Sequence, residues 1–547
     1  MRVHPMTRFL PCLILAGLGL LATTASAQEF KAPLARLDLS AGDSVVFLGD
    51  SITHQCLYTQ YVEDYYYTRF PNLKIKFHNA GVGGARARDA LDRFDRDVAA
   101  YKPKYVTVLL GMNDGSYQPY DDKTFQTYRT DMTELVGKIR EIGAVPILMT
   151  PTMYDSRAAR MRDPNAPAGR LELYNSTLAY YGAWLRETAV ESGAGFVDMY
   201  SPLNNLTLAA RKTDPNFTLI KDAVHPDPPG QLVMAFALLR DLDSPGVVGD
   251  VRIAIDASGT PAVQAAGGEL SDLKATDGAV EFAWNAAALP FVVPAEAASA
   301  AKMLYLGHVL GRESLAISGL PSGGYELRID GDPVGVYSSA GLAQGIGLED
   351  NPRTPQYKQA LQIAELNKKR NAGPVRNLRN EWSQMQQLYR LQRQVKADPN
   401  NAEAAKNLEA QTKKVEGMEQ RIAKHEEEAR EIEGQILASS RPAPHKYRIA
   451  TIQTGSCSGR IILNGKPLGD AAVLFEGEAG RAASGKSDNE GRFVMRISDL
   501  APFVVTGQYR VAVTARGVPA KYSNPDVTPL RVEMRKGENT VEFQLAD

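Results

Sequence analysis

The sequence predicts an α/β domain on a parallel sheet, then a small antiparallel β domain, an antiparallel helical hairpin and a C-terminal β-sandwich. Three observations carry this. Between residues 38 and 245 short apolar runs alternate with longer stretches, the pattern of buried strands covered by helices on both faces of a sheet. Residues 354–440 gain charge and Gln and lose β-branched residues, which reads as helix. The segments on either side, 248–347 and 447–547, carry short β-rich runs between Gly, Pro, Asn and Asp turn signals.

The N-terminus carries an address. Arg2 and Arg8 precede an apolar run from Phe9 to Leu21, and Ala25-Ser26-Ala27 follows, the layout of a secretory signal peptide over residues 1–27. The run falls short of the roughly 20 residues that span a bilayer. Cleavage before Gln28 is expected, with export to the periplasm or beyond and no later spanning segment.

Strands of the α/β domain are predicted at Val45–Leu48, Ile75–Phe77, Val106–Leu110, Val145–Met149 and Phe196–Met199. Amphipathic helices are predicted at Thr124–Ile142 and Leu171–Glu191. Ligands of such sheets bind beyond the carboxyl ends of the strands, at the switch point. The small β domain is signalled by Val251–Ile255, Ala279–Trp284 and Tyr325–Ile329. In the helical segment Leu378, Trp382, Met385 and Tyr389 alternate at spacings of three and four, as do Val415, Met418, Ile422, His425, Ala429, Ile432 and Ile436. That spacing is a coiled-coil seam, with Gly373-Pro374 at its start and Asp398-Pro399-Asn400-Asn401 at the reversal. The arm reads as a spacer, or a brace against the neighbouring β domain, in preference to a dimerisation element. The sequence leaves the oligomeric state open.

Composition removes several classes of function. The chain has 62 basic and 63 acidic residues, a net charge of −1, so a bulk electrostatic grip on nucleic acid or an anionic membrane is excluded. The three cysteines, Cys12, Cys56 and Cys457, have neither metal-site nor disulfide-framework spacing.

Candidate chemistry gathers at predicted strand ends. Gly49-Asp50-Ser51-Ile52-Thr53 follows the first strand, Asn79-Ala80-Gly81-Val82-Gly83-Gly84 the second and Gly111-Met112-Asn113-Asp114 the third. Glycines let backbone N–H groups approach a ligand, and the Asn amide is a donor. Downstream, Asp222-Ala223-Val224-His225-Pro226 supplies an acid and an imidazole three residues apart. Nucleophile, oxyanion donors, base and acid are all present.

At these four ordered blocks, across about 200 residues, the sequence resembles the SGNH (GDSL-type) hydrolases. The resemblance implies a flavodoxin-like three-layer α/β/α fold. It implies Ser51 as nucleophile, His225 as general base and Asp222 as the group that orients it. The implied oxyanion hole is the Ser51 N–H, the Gly84 N–H and the Asn113 amide, with Gly81 and Gly83 as the other choices in the glycine cluster. No cofactor and no metal is implied. Many relatives place Asp-Thr after the donor glycine, whereas Ala85-Arg86 stand here, which leaves the implied substrate contacts open. Gly459–Leu468 and Ser487–Phe493 look like transthyretin-like or carboxypeptidase-regulatory-like modules, whose role is usually accessory.

Neighbouring residues read as structural. His54, one turn after Ser51, is expected at the pocket edge, and Cys56 in the core. Asp50 and Asp114 are expected to brace loops through backbone hydrogen bonds. His78, His308, His425 and His445 show no partner pattern. Arg86 and Arg88 read as solvated surface, with contact to an acidic sugar as the alternative. The expected function is a secreted serine esterase that removes acetyl or other short acyl groups from carbohydrate through an acyl-enzyme. The rivals are a lipase or lysophospholipase, for which no long apolar lid appears between Ser116 and Lys123, and a non-catalytic surface scaffold.

Overall fold

A computed structural model describes residues 34–276, 278–478 and 481–547; the expected signal peptide, with Cys12, lies outside them. The first strands are β1 (Ser44–Gly49), followed by helices α1 (Ser51–His54) and α2 (Leu57–Arg69), and β2 (Lys76–Gly81). Helix α3 (Ala87–Asp92) precedes β3 (Tyr105–Leu109). Then come α4 (Asp122–Glu141), β4 (Val145–Met149), α5 (Tyr174–Ser192), β5 (Gly195–Val197) and α6 (Pro228–Asp241). The strands pair in parallel in the order β2-β1-β3-β4-β5, so the switch point lies at β1 and β3. Every residue of β1 and β3 is buried, as continuous apolar runs require between two helical layers. β2 sits further along the chain than expected and takes in Asn79-Ala80-Gly81.

The second domain differs from expectation. Its strands β6 (Val247–Ile255), β7 (Pro261–Ala266), β8 (Gly268–Thr276), β9 (Ala279–Ala286), β10 (Arg312–Ser318), β11 (Gly324–Ile329), β12 (Asp332–Ser338) and β13 (Ile346–Gly347) form two sheets. One is not purely antiparallel: β10 runs parallel to β6. The other, ordered β12-β11-β14-β9-β8, takes an inner strand from beyond the hairpin, β14 (His445–Ile452). A strand expected in the C-terminal sandwich thus completes the second domain, because Tyr447 and Ile449 bury against Phe282, Val280 and Leu327.

The hairpin consists of α7 (Pro355–Arg370) and α8 (Arg376–Ala397), then α9 (Ala402–Val415) and α10 (Met418–Ser439). Gly373-Pro374 does not start the outgoing helix. It lies within a π-turn, residues 371–375, that joins α7 to α8. The arm does not stand free. Trp382, Met418 and Ile422 enter the same apolar cluster as Val82, Ala90 and Phe94 of the α/β domain. Ile363 and Ile436 close on Tyr67 of α2 and on Leu289 of the second domain. The brace therefore acts chiefly on the α/β domain.

This contact explains α2, whose Tyr-rich sequence has no clear apolar stripe yet is buried at 12 of 13 positions. Its polar groups are met by the hairpin. Glu63 accepts from Arg370 (3.1 Å) and Asn371 (2.8 Å), and Asp64 from Asn367 (2.8 Å). The last strands, from Thr454 to Leu545, form two sheets around one core that contains Cys457, Phe475, Val511 and Phe543.

Candidate active site

Ser51 opens α1 directly beyond the carboxyl end of β1. Asp50 caps the helix, its Oδ1 accepting from Ile52 N at 2.9 Å. The turn packs tightly on β2: a Cβ on Gly81 would stand 2.3 Å from His54 N. No residue larger than glycine fits there.

His225 lies in the loop before α6. Its Nε2 is 2.8 Å from Ser51 Oγ and its Nδ1 is 2.6 Å from Asp222 Oδ2. Ala223 adopts φ 76°, a left-handed turn that lets Asp222 Oδ1 accept from Val224 N (2.9 Å) and His225 N (2.7 Å). Burial alone would raise the Asp222 carboxyl; the His225 N–H, its imidazole and the Val224 N–H outweigh that and hold it below the usual range. The carboxylate therefore stays ionised and holds Nδ1 as the donor, which leaves Nε2 facing the serine as the acceptor.

In the glycine cluster the N–H groups have different fates. Gly81 N donates to Asn79 Oδ1 (2.9 Å) and Gly83 N to His54 Nδ1 (3.2 Å). Gly84, at φ 67°, and Ser51 make no N–H hydrogen bond among the described residues. Asn113 Nδ2 donates to Ala85 O at 3.1 Å, and its second hydrogen meets Asp50 Oδ2 only at a long 3.4 Å. Tyr117 Oη donates to Asn113 Oδ1 (3.2 Å), which fixes the amide orientation. Ser116 and Tyr117 both have positive φ, 58° and 54°, so the loop that carries this brace is strained.

The bystanders resolve in the same way. His54 accepts from Gly83 N, while its Nε2 lies 3.1 Å from Asn380 Oδ1 of α8; burial, above all, lowers its pKa to about 4. It is a neutral brace, with Nε2 as its donor. Asp114 accepts from Ala87 N (2.9 Å) and Gly111 N (3.0 Å). Burial chiefly raises both Asp50 and Asp114 to about 7. Cys56 is buried and its thiol is pushed up to about 12 by that burial, so it packs rather than reacts. Among the described residues no group of three or more His, Cys, Asp or Glu side chains is placed to hold a metal.

A cleft of about 890 Å³ adjoins the site, lined in part by Gly84, Arg86, Asn113, Ser116 and Tyr117 on one side and Arg390 on the other. The Arg86 guanidinium donates to Ser116 Oγ (3.3 Å), whereas that of Arg88 pairs with Asp92, Asp131 and Glu134. Sequence reasoning missed Tyr117 and the hairpin residues Asn380, Gln386 and Arg390. Nothing local marks the last three, which sit about 300 positions from the loop they touch.

Residues 47–233 match the model of the GDSL-like lipase/acylhydrolase family. An acetylxylan esterase of Geobacillus stearothermophilus is 27% identical over 229 residues, 38% of this chain and 96% of that protein. The uncharacterized lipoprotein YqeF of Bacillus subtilis (strain 168) is 38% identical over 76 residues, 13% of this chain and 30% of its own length. Among solved structures, a gut microbial diltiazem-metabolizing enzyme superposes with a TM-score of 0.67 at 26% identity, covering 77% of this chain and 100% of that one.

Proposed function

We propose that this carboxylic ester hydrolase, with its GDSL/SGNH domain, is an exported serine esterase that removes acetyl or other short acyl groups from carbohydrate. The observation that carries the reading is the unbroken hydrogen-bond chain Ser51 Oγ–His225–Asp222. His225 Nε2 takes the Ser51 proton as Oγ attacks the ester carbonyl. The oxyanion meets the Ser51 and Gly84 N–H groups, which have no other partner among the described residues, and the Asn113 amide hydrogen now shared weakly with Asp50. His225 then protonates the leaving alcohol and deprotonates the water that releases the acid. One oxyanion donor is worth roughly 10²–10³ in turnover, and general-base help about 10²–10⁴.

The carbohydrate preference is supported by the similarity to the acetylxylan esterase and by a cleft rich in polar and charged side chains. Export is supported by the pattern of residues 1–27, and no described helix is long and apolar enough to cross a membrane. The C-terminal sandwich reads as a transthyretin-like accessory module on the turn pattern of residues 459–493. The solved relative that shares architecture over 77% of this chain metabolises diltiazem, so small-molecule esters belong in the same screen. Turnover of p-nitrophenyl esters of rising chain length, with acetate release from acetylated xylo-oligosaccharides, tests the reading. A steep fall beyond butyrate is expected; a maximum for long acyl chains would replace it with a lipase.

A further inference from the structure

We propose that Gln386 and Arg390 of α8 are positioning residues for the oxyanion hole, which makes the hairpin a working part of the esterase site. The inference rests on the reading of Gly84 N–H as an oxyanion donor.

A trans peptide is planar, so the carbonyl of Gly83 and the N–H of Gly84 point in opposite directions from one rigid unit. Whatever holds the carbonyl aims the N–H. The flanking residues are both glycines, and Gly84 sits at positive φ, so the unit has little intrinsic resistance to rotation. Its support comes from the hairpin. Gln386 Nε2 donates to Gly83 O of this unit at 3.0 Å, and Arg390 Nη2 donates at 2.7 Å to Gly84 O, the carbonyl of the next peptide, which holds the Gly84–Ala85 plane on which the unit hinges. On the other side Gly83 N–H is held by His54, which is itself held by Asn380 of the same helix. A donor on Gly83 O also polarises the amide and strengthens Gly84 N–H as a donor.

Two features separate this from ordinary packing. Gln386 is 3% exposed, and its Oε1 is buried with no partner among the described residues. The side chain thus gives up one hydrogen bond while its amide nitrogen reaches Gly83 O, at a site where an apolar residue would pack without that cost. Arg390 is anchored at both Nε and Nη2 by Asp89, at 3.0 and 2.6 Å, so its guanidinium is fixed before it reaches Gly84 O.

The test compares Gln386→Met, Arg390→Met and Arg390→Lys with Ser51→Ala and Asn113→Ala in the full chain. Turnover of p-nitrophenyl acetate, affinity for methylboronic acid and thermal stability are measured for each. Gln386→Met removes the orphan acceptor together with the donor, so it keeps the thermal midpoint or raises it. Its kcat nevertheless falls about tenfold at an unchanged KM, the loss of one aiming hydrogen bond. Affinity for the boronic acid, whose tetrahedral serine adduct places an oxygen in the hole, falls by the same factor. Arg390→Met follows it, and Arg390→Lys recovers part of the loss. Normal kcat and boronic acid affinity in Gln386→Met and Arg390→Met, with Asn113→Ala and Ser51→Ala crippled, would overturn this proposal alone. Full activity in Ser51→Ala would overturn the site reading on which it stands.

Discussion

Arg370→Met should undock the hairpin, and its cost can be worked out from the seam. Arg370 and Glu63 are 8% and 2% exposed at their side chains and meet at 3.1 Å between α7 and α2. Without the guanidinium, Glu63 keeps the uncharged amide donors of Asn371, at 2.8 Å, and Asn367. Removing one partner of a buried pair costs about 3–5 kcal/mol, because the other charge stays buried. Glu63→Gln removes the charge, still offers an oxygen to Asn371 and leaves Arg370 its second carboxylate, Glu433 at 3.8 Å, so it should cost about 2 kcal/mol. The double variant buries no orphaned carboxylate there and should return to that smaller figure, a coupling of about 3–5 kcal/mol. Burial already raises the Glu63 carboxyl, against the pull of Arg370 and Asn371, and removing Arg370 raises it further. A carboxyl with a raised folded pKa loses stability as pH rises through that value, so the cost of Arg370→Met grows as pH rises above the ordinary value of 4.5 and shrinks as pH falls towards it. Urea unfolding read by the fluorescence of Trp382, whose ring lies 3.6 Å from the Arg96 guanidinium carbon across the same seam, measures each term. Additive costs in the double variant, or a cost independent of pH, would refute the reasoning.

Other outcomes follow from the same geometry. Ser51→Ala and His225→Ala should lower kcat on p-nitrophenyl acetate by about 10⁴ or more and Asp222→Asn by up to about 10⁴; His54→Ala, which loses the brace between Gly83 and Asn380 but no reacting group, should stay within about tenfold. Burial first, then Glu349, raises Glu313 to about 8, so this carboxyl withdraws stability as pH rises through 8. Glu313→Gln should therefore raise the thermal midpoint at pH 9 and leave it unchanged at pH 4, with turnover unaffected. A chain ending at Gln453 should be soluble and active. One ending at Pro444 should misfold, because it lacks β14 and exposes the edges of β9 and β11; solubility and circular dichroism of the two chains decide the matter.

What the sequence made legible was local. The β1 turn, the glycine cluster and the Asp222–His225 turn each announce themselves within a few residues, because a strained turn next to a strand end needs particular side chains there. The parallel sheet follows from the alternation of short buried runs with helices, whereas its flavodoxin-like character was implied only by the family resemblance and the order β2-β1-β3-β4-β5 is read from the structure. Partnership across the chain was not legible. Met418 and Ile422 show an apolar seam, but a spacing of three and four is satisfied equally by a sister helix or by Phe94 of another domain. Gly373-Pro374 looks like a boundary, yet a π-turn absorbs the missing N–H and the helix continues. α2 went unread for a different reason: Gln60, Glu63 and Asp64 break any apolar stripe, and it is the amides and guanidinium of α7 and its π-turn that meet Glu63 and Asp64 once they are buried. The residues invisible to a local reading are therefore the ones that join the hairpin to the α/β domain. They include the two whose donors reach the Gly83-Gly84 carbonyls, so catalysis by a nearly self-contained motif set depends on a helix laid down some 300 residues later.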